Sequence, residues 1–415
     1  MTASQLLAYI ASALLLQLVV GVGLVIRRRR ALSSEIPATS TQDGPAATKG
    51  AWTGWRDFSV VARGFEDAAQ SQCSFYLQPV DGQPLPTFKP GQFLTVAPNV
   101  MPRTSDGPAA TRAITRCYSL SDRPGLGHYR VTIKRVPAPP DHPEFASGLS
   151  SNHFHDQVRV GDTLRVKAPA GHFFIDSDPN LPAVLIAGGI GITPMMSMLR
   201  WCVAQQPQRV VHLFYGLRNS GEHAFKQLLE EIAASHPALR LNVVYSRPGE
   251  SDLQGRDYQH KGHVDVELLR RTLPHGRHQF YVCGPPAMMQ ALVPALAEWG
   301  VPVRDIHYEA FGPASVKLPG GAAEAAAPIA TGVEVRFQRS GRTLTWDGRD
   351  ASLLDFAERH GVEVESGCRS GGCGSCETRL LEGKVQYEHA PDHEVAAGCC
   401  LLCVGRPSSP LVLEA

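Results

Sequence analysis

A surplus of charge of one sign is the first thing this 415-residue sequence lacks. Lysine and arginine number 40 against 39 aspartates and glutamates, a formal charge of +1. Without a basic surplus there is no electrostatic footprint for a phosphate backbone, so nucleic acid is excluded as a partner class. A disulfide framework is missing as well. Of the ten cysteines, Cys73, Cys117, Cys202, Cys283, Cys399 and Cys400 are scattered without a repeating interval, and unpaired thiols fit a reducing compartment. Apolar residues make up 43% and charged residues 19%. That is ordinary globular material, long enough for about three domains.

What is present is concentrated in Ser366–Cys376, S-G-C-R-S-G-G-C-G-S-C. Cys368, Cys373 and Cys376 stand at C-x4-C-x2-C, and Cys403 follows in the apolar run C-L-L-C-V. Thiolates from one loop can converge on a metal centre only if the loop folds tightly back. Gly367, Gly371, Gly372 and Gly374 permit the positive φ angles this needs, and they leave backbone N–H groups free to point at sulfur. A four-thiolate zinc site usually presents two C-x2-C pairs; the second is missing. The spacing resembles the loop by which plant-type ferredoxins hold a 2Fe–2S cluster. Cys399, Cys400 and Cys403 all lie near the place of the fourth ligand. Strand alternation would set Cys400 on the opposite side from the other two but does not separate Cys399 from Cys403. Cys403 is preferred because it falls in an expected buried strand and the following G-R-P resembles the family's ending.

Upstream, Gln5–Ile26 is an apolar run broken only by Gln5, Ser12 and Gln17, and Arg27–Arg30 follow at once. Its length suits a membrane span, and the positive-inside rule would leave the arginines and everything after them in the cytoplasm. A single-pass anchor over 1–30 is therefore expected, ahead of a cleaved signal or a buried helix, with a polar tether over 31–54. Residues 55–178 alternate in short apolar segments such as F-S-V-V-A, F-L-T-V and Y-R-V-T-I-K-R, which predicts an antiparallel β-barrel. Residues 179–313 change to an α/β grammar. P-A-V-L-I-A reads as a buried strand, and G-G-I-G-I-T-P opens a helix, with Thr193 expected as its cap and Pro194 in its first turn. Such a turn suits a pyrophosphate. A linker is expected over 314–331 and a small α+β domain over 332–415. The fold class is thus multidomain α+β and α/β: a transmembrane helix, an antiparallel β-barrel, a parallel α/β domain and a C-terminal domain that resembles the β-grasp fold of plant-type ferredoxins.

The order of these motifs carries a resemblance. R-C-Y-S (Arg116–Ser119), G-L-S-S (Gly148–Ser151), G-G-I-G-I-T-P (Gly188–Pro194), C-G-P-P-A-M (Cys283–Met288) and Y-E-A-F-G-P (Tyr308–Pro313) resemble the flavin and nicotinamide domains of the ferredoxin–NADP reductase superfamily. With the C-terminal ferredoxin domain, the arrangement is similar to phthalate-dioxygenase-reductase-like enzymes. Individual motifs are closer to the reductase half of flavohaemoglobins, which favours FAD over FMN. The resemblance implies that Arg116 holds the flavin phosphate, Tyr118 packs on its ring and Ser119 hydrogen-bonds near its reactive nitrogen. Gly148 and Ser151 would bind the pyrophosphate, and Phe311 would shield the ring. Gly188, Gly189, Gly191, Thr193 and Pro194 would surround the dinucleotide. Cys283, Gly284 and Pro285 would lie beside the nicotinamide, with Cys283 acting sterically, so Ser119 and Cys283 are expected nearest the transferred hydride. The segment from Val100 to Ala113 is longer than the family needs and reads as a surface loop.

The resemblance implies an enzyme using NADH or NADPH, FAD and a 2Fe–2S cluster in electron transport. The expected function is a membrane-anchored reductase feeding an electron-acceptor protein such as a membrane oxygenase or desaturase. An electron-input subunit of a respiratory or ion-translocating complex is a second reading, disfavoured by domain order, and a redox sensor a third. No haem, di-iron or oxygenase motif names the acceptor. After the second α/β strand stands Arg218 with no acid, and Ser246, Arg247, Arg256 and Tyr258 could receive a 2′-phosphate; use of both coenzymes is expected, with NADH slightly preferred.

Overall fold

The computed structural model describes residues 51–100, 112–138, 147–311 and 332–415, apart from positions 53, 114, 177, 370, 388–390, 392 and 394. The first sheet has six strands: β1 (Arg56–Phe65), β2 (Gln72–Pro79), β3 (Phe93–Ala97), β6 (Arg116–Ser119), β7 (Tyr129–Lys134) and β8 (Thr163–Val166). Between β3 and β6 lies a separate short pair, β4 (Asn99–Val100) with β5 (Arg112–Ala113). The six run in the order β6-β3-β8-β1-β2-β7, and each neighbouring pair is antiparallel. The two edges are joined by an antiparallel bridge between Leu120 and Val131 and by the Ser121 N–H donating to the Arg130 carbonyl at 2.8 Å. Closure removes the exposed edges an open sheet would carry. Phe58, Val60, Phe75, Leu77, Leu94 and Val131 fill the interior. Helix α1 (Leu149–Asp156) packs on this core through Phe154.

The second sheet is wholly parallel: β9 (Ala183–Gly188), β10 (Val211–Leu217), β11 (Leu239–Tyr245), β12 (His260–Lys261), β13 (Gln279–Gly284) and β14 (Ile306–Ala310). Its helices are α2 (Ile192–Gln205), α3 (Lys226–Ser235), α4 (Val266–Thr272) and α5 (Pro286–Glu298). The order β12-β11-β10-β9-β13-β14 reverses direction beside β9, and a crevice at such a reversal is where ligands bind in open α/β sheets. β9 and β13 are buried at every position because separate apolar cores cover the two faces of the sheet.

The third sheet contains β15 (Val333–Phe337), β16 (Arg342–Trp346), β17 (Glu377–Glu382), β19 (Cys399–Leu401) and β21 (Leu411–Leu413), ordered β16-β15-β21-β17-β19. β18 (Val385–Tyr387) pairs separately with β20 (Gly405–Pro407). Helix α6 (Leu353–Arg359) lies on this core, its start capped by Ser352, whose side chain accepts from the Asp355 N–H.

The expected membrane span is corrected. No helix among the described residues is long and apolar enough to cross a membrane, and the Gln5–Ile26 run, with its arginine flank, lies outside them. An apolar run states only a preference for an apolar environment, which a buried helix or a cleaved signal satisfies equally. The single-pass placement with cytoplasmic domains is withdrawn with it. The tether over 31–50, residues 101–111 of the surface loop and the linker over 314–331 also lie outside the described residues.

Candidate functional site

Strand β6 supplies the first part of the site. The Tyr118 hydroxyl shares a hydrogen bond of 2.9 Å with Ser150 Oγ on α1, and burial pushes its pKa up to about 12, so the phenol stays neutral. Gly148 caps α1, and a Cβ on it would meet Ser151 Oγ at 2.6 Å and Val136 Cβ at 2.8 Å. Only glycine lets the chain enter the helix this closely, and the helix start presents unpaired N–H groups suited to a phosphate. Arg116 is held below the usual arginine range, first by burial and then by Arg369 of the third domain. Two neighbouring guanidiniums are an arrangement that a bound phosphate would relieve. Arg116, Tyr118, Gly148 and Ser151 therefore fit a flavin with its phosphate end between β6 and α1.

Two glycine turns meet at the sheet reversal. A Cβ on Gly191 would stand 2.2 Å from the Cys283 carbonyl oxygen, and one on Gly188 would be 2.6 Å from both Pro285 Cδ and Met288 Sδ. Gly189 has φ +51°, with nothing within 4 Å of where its Cβ would be. The turns after β9 and β13 are thus packed backbone to backbone, with open space beside Gly189 that fits a dinucleotide. The cap of α2 departs from expectation: Gly191 occupies that position, while Thr193 is inside the helix and donates its hydroxyl to the Ile190 carbonyl at 3.0 Å. The 3-10 turn Gly189–Gly191 leads directly into α2, so the helix begins before threonine is reached. Pro194 is buried inside the same helix.

Sequence reasoning missed Glu309. It lies on β14 directly beside Cys283 of β13, and Ser119 Oγ donates to Glu309 Oε2 at 3.5 Å. One carboxylate therefore faces the flavin strand and the nicotinamide turn together. Burial and then Glu309 push the Cys283 thiol well above the ordinary range, so it stays a neutral thiol. The sign that could have revealed Glu309 was its place two residues before Phe311 in Y-E-A-F. Phe311 itself is 38% exposed, an aromatic surface open to stacking. Gly284 and Pro285 complete the turn after β13, Gly284 with Gly188 Cα 3.1 Å from where its Cβ would be.

The cysteines of the third domain come in two pairs. The Cys368 N–H donates to Cys373 Sγ at 3.1 Å, and the Cys403 N–H donates to Cys376 Sγ at 3.4 Å. Cys403 holds the pKa of Cys376 below its ordinary range, and Cys376 raises that of Cys403. Further N–H groups from Gly372 to Cys368 Sγ (3.3 Å) and from Ser375 to Cys373 Sγ (3.5 Å) complete a set of donors suited to negative sulfur. Among the described residues no three His, Cys, Asp or Glu side chains converge on one ion position; two pairs suit two irons. Gly374 (φ +66°) has the His393 ring 2.4 Å from where a Cβ would be, so the loop tolerates no side chain there. Cys403 lies in the turn after β19, which ends at Leu401. The strand expected around it is therefore corrected, and with it the alternation argument that grouped it with Cys399. Cys400 faces the apolar core, and Cys399 is half-buried opposite Arg379 of β17.

The barrel and the third domain are neighbours: Cys117 of β6 is the first influence raising the pKa of Cys373, and Lys167 Nζ stands 3.9 Å from Glu365 Oε2. The residues weighed for coenzyme choice are dispersed in their contacts: Arg218 pairs with Glu222 at 3.1 Å, Arg256 with Asp257 at 2.7 Å, and Tyr258 stacks on Tyr245 at 4.9 Å. Ser246 Oγ donates to the Leu217 carbonyl at 3.3 Å, and the Arg247 N–H donates to the Arg218 carbonyl at 2.9 Å.

Comparison with known proteins agrees with this division. Residues 87–175 match the oxidoreductase FAD-binding domain family, residues 185–293 the oxidoreductase NAD-binding domain family, and residues 335–408 the 2Fe–2S iron–sulfur cluster binding domain family. A flavohemoprotein of Bacillus cereus is 39% identical over 270 residues, 65% of this chain and 64% of that protein. The chain thus spans less than two thirds of that relative's length. The crystal structure of the flavohem-like FAD/NAD-binding domain of a nitric oxide dioxygenase from Vibrio cholerae is 32% identical with a TM-score of 0.53, covering 62% of this chain and 99% of that one. Phthalate dioxygenase reductase, described as a modular structure for electron transfer from pyridine nucleotides to [2Fe–2S], is 26% identical with a TM-score of 0.53, covering 87% of this chain and 98% of that one.

Proposed function

This chain belongs to the flavohaem-like FAD- and NAD-binding oxidoreductases and carries a 2Fe–2S domain, and from that premise we propose that it delivers electrons one at a time to an oxygenase or desaturase. The observation carrying the proposal is the three-domain division itself, FAD-binding, NAD-binding and 2Fe–2S in that order, with the barrel and the third domain in contact through Lys167 and Glu365, in an architecture shared with phthalate dioxygenase reductase. When bound, NAD(P)H supplies a hydride, flavin takes its two electrons together and releases them singly, and the cluster carries one at a time.

The chain's own residues hold these groups in order. Arg116 and the start of α1, with Gly148 and Ser151, bind the flavin phosphates, and Tyr118 fixes the ring against α1 through Ser150. Gly188, Gly189 and Gly191 give the dinucleotide backbone contact, with Thr193 and Pro194 fixing the start of α2 behind them. Cys283, Gly284 and Pro285 form the wall against which the nicotinamide lies. Ser119 and Glu309 would set polar groups beside the flavin and the nicotinamide, and Phe311 would cover the flavin ring. Cys368, Cys373, Cys376 and Cys403 would hold the cluster, and the backbone N–H groups around them would stabilise its charge.

Replacing Cys403 with serine tests the scheme. The variant is expected to lose the visible and EPR signature of the 2Fe–2S cluster, to keep NADH-driven ferricyanide reduction, and to fail with cytochrome c, which draws on the cluster. Cys399→Ser and Cys400→Ser are expected to keep the signature. An intact cluster in Cys403→Ser rejects the ligand, and undiminished cytochrome c reduction without a cluster rejects the order of transfer.

A further inference from the structure

Two turns from different domains interlock where the barrel meets the parallel sheet. One is the hairpin between β1 and β2; the other joins β10 to α3. The Ala69 N–H donates to the Gly221 carbonyl at 2.8 Å, and the Phe225 N–H donates to the Glu66 carbonyl at 3.1 Å. Gln72 Nε2 adds a bond of 3.0 Å to the Glu222 carbonyl. Donors thus cross the boundary in both directions and end on backbone, which holds the two turns in register.

Both turns carry an unusual backbone. Among the described residues three non-glycine residues have positive φ, and two of them are here, Gln70 at +53° and Phe225 at +59°. For a bulky residue this region is costly and persists only where the surroundings over-determine it. Those of Phe225 do so. It is 3% exposed and stands directly before α3, and the Arg130 guanidinium of β7 lies over its ring, 4.9 Å from the centroid. Arg130 is buried too, its Nε donating to Ser121 Oγ at 3.2 Å with Asp122 3.6 Å away. A cation over the face of a ring is attracted to it, more strongly where water is excluded. Phe225 therefore reaches from the nicotinamide domain to a charge buried in the barrel, and the contact holds its backbone in the strained form.

We propose that Phe225 is a positioning residue for hydride transfer: packed against Arg130 and bonded to Glu66, it fixes the parallel sheet against the barrel and so sets the distance between nicotinamide and flavin. It acts through the domain boundary, not on the reacting atoms. The inference rests on the hydride route given above and is independent of the acceptor.

The full-length protein with flavin bound is compared as wild type, Phe225→Leu, Phe225→Tyr and Gln72→Met. Phe225→Leu keeps an apolar side chain and loses the ring. Its flavin is expected to be reduced about tenfold more slowly at saturating NADH in anaerobic stopped flow, because small misplacements of reacting groups are costly. The isotope effect with C4-deuterated NADH is expected to be at least that of wild type, with the Kd for NADH changed by less than about twofold, as loss of positioning rather than of binding requires. Phe225→Tyr, which keeps the ring, is expected to restore the rate. Hydrogen exchange followed by mass spectrometry needs no turnover; it is expected to show the amides at positions 69 and 225 exchanging faster in Phe225→Leu than in wild type. If Phe225→Leu fails to fold, Gln72→Met, which removes one bond across the boundary and leaves Phe225 in place, is expected to show both changes at smaller amplitude. An unchanged reduction rate or unchanged exchange in Phe225→Leu, or in Gln72→Met where leucine misfolds, overturns the proposal, as does a slow rate that tyrosine does not restore. A wild-type flavin that NADH does not reduce rejects the hydride route and the proposal with it, whereas an unchanged rate beside an active wild type rejects Phe225 alone.

Discussion

The flavin barrel meets its two neighbours in different ways. Towards the nicotinamide domain the contacts are buried and charged. Asp122, 4% exposed, binds Arg200 of α2 and lies 3.6 Å from Arg130 of its own barrel, while Ser197 Oγ donates to the Asp122 carbonyl at 2.7 Å. Lys134 pairs with Glu222 at 2.8 Å, and the Ala69 N–H donates to the Gly221 carbonyl at 2.8 Å. Gly91 (φ +113°) brings the barrel so near α2 that a Cβ would stand 2.6 Å from Met198 Cε. Towards the ferredoxin domain stands a looser pair, Lys167 with Glu365 at 3.9 Å. Hydride transfer needs reacting atoms within about 3–3.5 Å, so the first interface has to be fixed. An electron crosses a longer gap, so the second can be built more lightly.

The largest test of this contrast is Asp122→Ala. It leaves Arg130 and Arg200 without the carboxylate between them, and breaking such a buried arrangement costs about 3–5 kcal/mol. Denaturant unfolding followed by flavin fluorescence measures it; a loss below about 1 kcal/mol would mean the interface is no firmer than a surface pair.

Acid provides the second test. Burial, followed by neighbouring positive charge, lowers the pKa of His212 and His223 of the nicotinamide domain to about 4. Unfolded, each takes up its proton near pH 6.5, so the unfolded chain binds more protons between the two values. Stability is full above about pH 6.5, falls as pH drops towards 4 and levels below it, at about 1.4 kcal/mol per pH unit for each histidine. Thermal unfolding of the holoprotein at steps across this range is expected to give a shallower slope in His212→Phe. An unchanged slope would discard His212 as a contributor.

The smallest effect belongs to Lys167→Ala. Glu365 is 70% exposed, and its contact with Lys167 is loose, worth less than about 1 kcal/mol. The rate of cluster reduction by NADH in stopped flow is expected to stay near wild type. A large loss would show that the light interface depends on this pair.

How far these features were legible in the sequence depends on their range. β1, β3 and β7 follow from alternation, and Cys368, Cys373 and Cys376 from spacing, because each is a local pattern. Glu309 was not legible, because its significance arises only when β14 lies beside β13 and the barrel brings Ser119 within reach. Thr193 misled because its cap chemistry is ordinary; the preceding 3-10 turn, which shifts the helix start to Ile192, leaves no distinct mark in composition. Cys403 was preferred for a partly wrong reason. The strand ends at Leu401, and the turn beyond it, rather than alternation, carries the thiol to Cys376. The Gln5–Ile26 run was read as a span from its apolarity, its length and its arginine flank, none of which identifies what the run packs against.

The place of β21 bears on how the protein is made. It lies between β15 and β17, with Leu411 beside Val335 and Leu413 beside Leu380. The sheet that supports the cysteine loop is therefore completed by a strand synthesised after all four thiols, and long-range pairings of this kind form late. The barrel and the parallel sheet precede it and can fold during synthesis. A ribosome stalled before Leu411 would thus leave a chain able to fold both earlier domains while the ferredoxin sheet lacked its central strand. Such a product could oxidise nicotinamide with no proper outlet for the electrons, which makes completion of this one strand the step at which a leaky oxidase becomes a coupled reductase.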